Sequence, residues 1–135
     1  MPVHIVRLGS PRHPQEGLRI GTVRRPPRGV RKAEIATRDF YDVWLPDLAP
    51  SAALLSWVKV EPLDEARWAR FAREYRREMA LPSPVRVIGL LAALSHTAAF
   101  SVGCYCADAT HCHRSVLAEL LVTAGAELAP DVPDR

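Results

Sequence analysis

Cysteine is scarce in this chain. Only three occur in 135 residues, and Cys104, Cys106 and Cys112 fall within nine consecutive positions. An odd, clustered set of thiols is not the disulfide framework of a small secreted domain, which leaves reduced thiols or a metal site. Long apolar runs are missing too, since no stretch approaches the roughly 20 apolar residues of a membrane helix. The opening Met-Pro-Val-His-Ile-Val-Arg-Leu is too short and too interrupted by polar residues for a signal peptide. The expectation is a cytoplasmic protein with no membrane partner. Neither sign of charge dominates: 18 Lys and Arg face 15 Asp and Glu, for a formal net charge of +3. That balance does not by itself announce a nucleic-acid binder, although the pI near 9.0 suits an anionic partner. Internal repeats and low-complexity segments are also lacking, and 48% hydrophobic with 24% charged residues excludes wholesale disorder.

What is present reads as one α/β domain. Residues 3–8 and 18–23 have short strand patterns, and Pro11, Pro14 and Gly17 between them suggest a hairpin or a neighbouring pair. A basic loop, Arg24-Arg-Pro-Pro-Arg-Gly-Val-Arg-Lys32, follows; its two prolines forbid ladder bonding and Gly29 permits a tight turn. Residues 40–45 read as a third strand. Ser51 caps a helix through Leu54, Leu55 and Val58. Asp64 opens a longer one in which Trp68, Phe71, Ala72, Tyr75 and Met79 recur at helical spacing, a core stripe. Its charges read as a solvated face with pairs such as Arg70 and Glu74. A third helix starts at Ser83 and Pro84. Residues 98–104 are the most buried strand candidate, and a helix over 112–124 with a Gly125 stop completes a parallel-strand pattern.

That last strand–loop–helix gathers the chemistry. A helix start there would aim backbone N–H groups at an anion or a thiolate. Arg114 and Ser115 in its first turn offer a guanidinium and a hydroxyl to a phosphate or carboxylate, with Arg24, Arg28 and Arg31 as an opposite wall; the plainer reading pairs Arg114 with Asp108. Cys106 is separated from Arg114 by seven residues, which does not fit the Cys-x5-Arg phosphate loop of tyrosine phosphatases. Cys112 beside His113 and Arg114 should have its thiolate favoured, making it a candidate nucleophile or redox thiol with His113 as its partner; the alternative is a small core residue. Cys106 and Cys112 are also a candidate reversible disulfide. Cys104, Cys106, His111 and Cys112 supply a zinc alternative, although Cys-x-Cys is not the usual Cys-x2-Cys spacing and otherwise no cofactor is indicated. His96, at the end of an apolar helix, reads as a hydrogen-bonding partner for terminal carbonyls.

Several of these pieces match a known pattern. Arg24 with Pro27-Arg28-Gly29, Trp44 followed by Pro50-Ser51 and Leu54, the helix carrying Phe71, Tyr75 and Glu78, and the closing Cys112-His113-Arg114 together resemble the domain-of-unknown-function family numbered 488, which includes the YeaO-like proteins. Where YeaO-like members tend to have Asp before the first arginine and Trp before the proline, this chain has Val23 and Pro26, so no carboxylate is available at that position. The resemblance implies the fold and the site map, favours a functional role for Cys112, and names no reaction.

The expectation is therefore a single α/β domain over residues 1–128, a partly parallel sheet flanked by helices, with a tail at 129–135. Its site lies at the carboxyl end of the strand near Tyr105, as in open α/β sheets generally. The leading functional expectation is a small anionic or phosphate-bearing ligand held by Arg24, Arg28, Arg114 and Ser115, with Cys112 as a reactive thiol. A noncatalytic nucleic-acid-binding module using the basic loop, and a thiol or metal sensor, are the alternatives.

Overall fold

The structure is a computed structural model that describes residues 2–130; residues 131–135 of the expected tail lie outside it. Four short strands form one sheet in the order β1 (His4–Arg7), β4 (Phe100–Cys104), β2 (Leu18–Gly21), β3 (Val43–Trp44), and every pairing is parallel. The most apolar strand takes the central place: all five β4 residues are buried, and Val102 lies in register with Ile5 on one side and Ile20 on the other. That placement corrects the expected pairing of the first two strands, because β4 lies between them and the connection from Gly9 to Gly17 is a loop rather than a hairpin turn. The third strand is also shorter than expected. Asp39 takes a positive φ of 63°, and the Asp42 carboxylate accepts the Arg19 N–H at 2.8 Å, so regular pairing is confined to Val43–Trp44.

Four helices cover the sheet: α1 (Ala52–Lys59), α2 (Glu65–Met79), α3 (Pro82–Leu94) and α4 (His113–Thr123). The caps follow from the sequence. Ser51 accepts the Leu54 N–H at 3.1 Å and Asp64 accepts the Arg67 N–H at 2.8 Å. Helix α3 begins at Pro82, a residue before its expected start, because proline is at home in a first turn where its missing N–H costs nothing. Tyr75, Leu48, Val102, Leu117 and Leu121 are completely buried where α2 and α4 meet the sheet. Each such side chain contributes roughly 1.5–3 kcal/mol by leaving water. Glu74 pairs with Arg77 rather than with Arg70, whose guanidinium stacks on Trp57 at 4.7 Å, with that of Arg67 at 4.2 Å. His96 bonds the Gly125 carbonyl beyond α4, at 3.0 Å, rather than its own helix.

Two further features set up the carboxyl end of the sheet. A second apolar cluster of Leu8, Val23, Ile35, Tyr41, Cys104 and Cys112 lies beneath the loops there, with Val30 and Tyr105 packed against it. A buried ion pair, Arg19 with Glu16 at 2.6 Å, ties the loops behind it: Arg19 also donates to the carbonyls of Ser10 and Asp39, and Ser101 donates to Glu16. No helix among the described residues is long and apolar enough to cross a membrane.

Candidate functional site

The ends of β1, β4 and β2 meet under the start of α4. Gly103 permits the close approach of β1, since a Cβ there would stand 2.6 Å from the Val6 carbonyl oxygen. After Cys104 the chain crosses residues 105–112, including a single 3-10 turn (Ala109–His111), and enters α4. The first two residues of α4 are buried and reach in opposite directions. His113 Nε2 lies 2.7 Å from the carbonyl oxygen of Thr22, just past β2, whereas Arg114 Nη1 donates to Val6 of β1 at 3.0 Å and to Cys104 of β4 at 3.5 Å. One dipeptide thus fastens three strand ends.

The His113 contact fixes its tautomer. A carbonyl only accepts, so the ring hydrogen is on Nε2 and Nδ1 keeps a lone pair, 3.9 Å from the Cys112 sulfur. Burial pushes the ring's pKa down to about 4, against the opposing pull of the Thr22 bond, so the imidazole is neutral at pH 7.

The three thiols converge. Their sulfur atoms all lie within 4.8 Å of one another, with Cys104 and Cys106 3.5 Å apart. Cys104 and Cys112 are buried, 5% and 2% exposed, while Cys106 is exposed. Three thiols this close do not all ionise. Hydrogen bonds from Cys104 and Cys112, and then the Arg114 charge, draw the Cys106 thiol well down, although burial works against them. The Cys104 thiol is pushed up to about 11, chiefly by its bond to Cys106, and Cys112 is pushed up by both neighbours and by burial. The thiolate expected at Cys112 from its place at the helix start is thus disfavoured there and favoured at Cys106.

The other expected site residues divide. Arg24 is half-buried and donates to the carbonyls of Pro50 and Ala49 at 3.0 and 3.1 Å, fastening the segment before α1. Arg28 is exposed on the basic loop, where Gly29 turns the chain with φ of 76° and buried Pro27 anchors it. The loop lies against the site, because the Tyr105 hydroxyl, between the first two cysteines, donates to the Arg25 carbonyl at 3.0 Å. Ser115 turns its hydroxyl to the Cys112 carbonyl at 2.8 Å. Arg114 does not pair with Asp108. That carboxylate holds Thr110 and His111, and His111 also meets Glu65 of α2 at 3.0 Å, so both of its ring nitrogens face carboxylates, away from the thiols. The zinc set that included His111 is thus not assembled; the three cysteines alone are placed to hold a metal. A cavity of about 490 Å³ lined by His4, His13 and Ala99 opens at the amino ends of the strands, far from the cysteines.

Thr22 and Val6 were not legible as site residues, because they act through backbone carbonyls, which no side-chain pattern reveals.

An open parallel sheet with a cysteine–histidine–arginine turn at its carboxyl end defines the class: a small α/β protein with a thiol site in the strand–loop–helix crevice. A family model described as the Active DUF488-N3 subclade matches residues 3–125, most of the chain. The chain belongs to the DUF488 family, as the Pro-Arg-Gly loop and the Cys-His-Arg turn indicated. Among curated proteins and among solved structures, no match was found.

Proposed function

We propose that the protein binds a small anionic, phosphate-bearing ligand at the carboxyl end of the sheet and presents Cys106 to it as a nucleophilic thiol. The observation that carries this reading is the placement of one exposed thiol, Cys106, over two buried ones, with the Arg114 guanidinium beneath and the basic loop at the rim. Positive charge on two sides favours an anion, and the first N–H groups of α4 point the same way. Arg25, Arg28 and Arg31 are exposed cations of the basic loop available to the ligand. Arg24 and Ser115, engaged with backbone carbonyls, shape the site rather than touch its occupant. His113, neutral and tied to Thr22, positions α4 and the Cys112 side chain.

The test is the rate at which iodoacetamide alkylates Cys106, with and without inorganic phosphate, in chelator-treated protein. Phosphate should slow the reaction, and Arg28→Ala should remove the protection. An unchanged rate over millimolar phosphate overturns the anion-binding reading. Protection by a single-stranded oligonucleotide but not by phosphate, lost steeply with salt, would instead favour the nucleic-acid-binding alternative.

A further inference from the structure

The three sulfurs form a donor set that the proposed anion chemistry leaves unused as a set. We propose that Cys104, Cys106 and Cys112 form a three-thiolate site for a borderline-soft divalent cation of the zinc type, its fourth position left to water or a ligand.

Three observations on different atoms support this. The sulfurs are already gathered: a tetrahedral ion with metal–sulfur bonds of about 2.3 Å needs sulfurs about 3.8 Å apart. The 3.5 Å between Cys104 and Cys106 and the 4.8 Å limit for the whole set bracket that value. Cys106 is exposed, which gives an ion an entry path, while the buried pair lies behind it. Arg114 offsets the negative charge that three thiolates around one divalent ion would leave.

The donor chemistry selects the ion. Thiolates suit zinc and its analogues cobalt(II) and cadmium, and disfavour magnesium and calcium, which want oxygen. Cys106 is itself one of the three ligands. Metal occupancy and a free nucleophilic Cys106 are therefore mutually exclusive, and this inference does not rest on the anion-binding reading.

Cobalt(II) added anaerobically to the reduced full-length chain tests it. The expected result is a thiolate-to-cobalt charge-transfer band with intense tetrahedral ligand-field absorption, saturating at one equivalent and bleached by one equivalent of zinc. Cys106→Ser changes an exposed residue and should leave the fold intact. It should lower charge-transfer intensity by about a third and weaken zinc binding at least about 10- to 100-fold, the range seen for loss of a mere outer-shell partner. Cys112→Ser, with folding checked by circular dichroism, should act likewise. No charge-transfer band at stoichiometric cobalt, or a band unchanged in Cys106→Ser, overturns the site. Phosphate protection of Cys106 is measured on chelator-treated protein, so the two readings fail separately.

Discussion

His113 hands its Nε2 hydrogen to the carbonyl oxygen of Thr22 at 2.7 Å, joining the first residue of α4 to the end of β2. The Thr22 N–H and hydroxyl both go to the Gly103 carbonyl, so this bond continues a line that crosses from β4 to β2 to α4. His113→Ala strands the Thr22 carbonyl in a buried place. The expected loss is about 1–3 kcal/mol from the unsatisfied acceptor alone, with a cavity term in addition. Urea denaturation measures it, and an unchanged midpoint would mean the bond is not held in solution.

The buried ion pair offers a second prediction. Arg19 and Glu16 are 0% and 2% exposed; each satisfies the other, Arg19 also donates to the Ser10 and Asp39 carbonyls, and Glu16 accepts from the His13 N–H and the Ser101 hydroxyl. Removing one partner leaves an uncompensated buried charge, so Arg19→Met should cost about 3–5 kcal/mol. If Arg19→Met unfolds with wild-type stability, the pair does not carry the loops behind the site.

The same pair sets a pH dependence. Burial alone would raise the Glu16 carboxyl, but the Arg19 bonds, the His13 N–H and the Ser101 hydroxyl overcome it and hold the pKa below the ordinary value of 4.5. A carboxyl lowered in the folded state contributes stability that is complete above its unfolded pKa and is lost as pH falls through the lowered folded one. The stability gap between wild type and Glu16→Gln should therefore be constant near neutrality and shrink only below pH 4.5. A gap that instead shrinks as pH rises above neutrality would contradict the ion-pair account.

The two arginines of the basic loop motif should separate cleanly. Arg24→Ala loses two bonds to carbonyls and should destabilise the fold by about 1–3 kcal/mol. Arg28→Ala, at an exposed position, should stay within about 0.5 kcal/mol of wild type while reducing phosphate protection of Cys106. Thermal or chemical melts read beside alkylation rates decide this. Equal destabilisation by both substitutions would place Arg28 in the scaffold instead.

Much of this fold was legible because its signals are local. Ser51 and Asp64 announce helix starts by capping chemistry, the Trp68 to Met79 stripe shows helical period, and the apolar run into Cys104 marks a central strand. Strand neighbours were not legible: β1 and β2 are adjacent in sequence, yet each pairs with β4, and nothing in a four-residue strand states its partner. The convergence of the three thiols at the last strand–loop–helix was legible as a cluster in the sequence, but the thiols could not be ranked. Helix position and neighbouring charge favour Cys112 as a thiolate, whereas the Cys104 and Cys106 thiols beside it and then burial, all tertiary facts, push it up and favour ionisation at Cys106. The Glu16 and Arg19 pair was hidden for the same reason, since two charged residues in a loop look solvated until the loop folds over them.

Under the proposed function the reactive thiol is Cys106 rather than Cys112. Chelator-treated, reduced protein should be labelled at pH 7 with substoichiometric iodoacetamide, and the modified peptides identified by mass spectrometry. Label concentrated at Cys106, with Cys104 and Cys112 modified only after denaturation, is the predicted result. Label first or equally at Cys112 in the folded protein would contradict it.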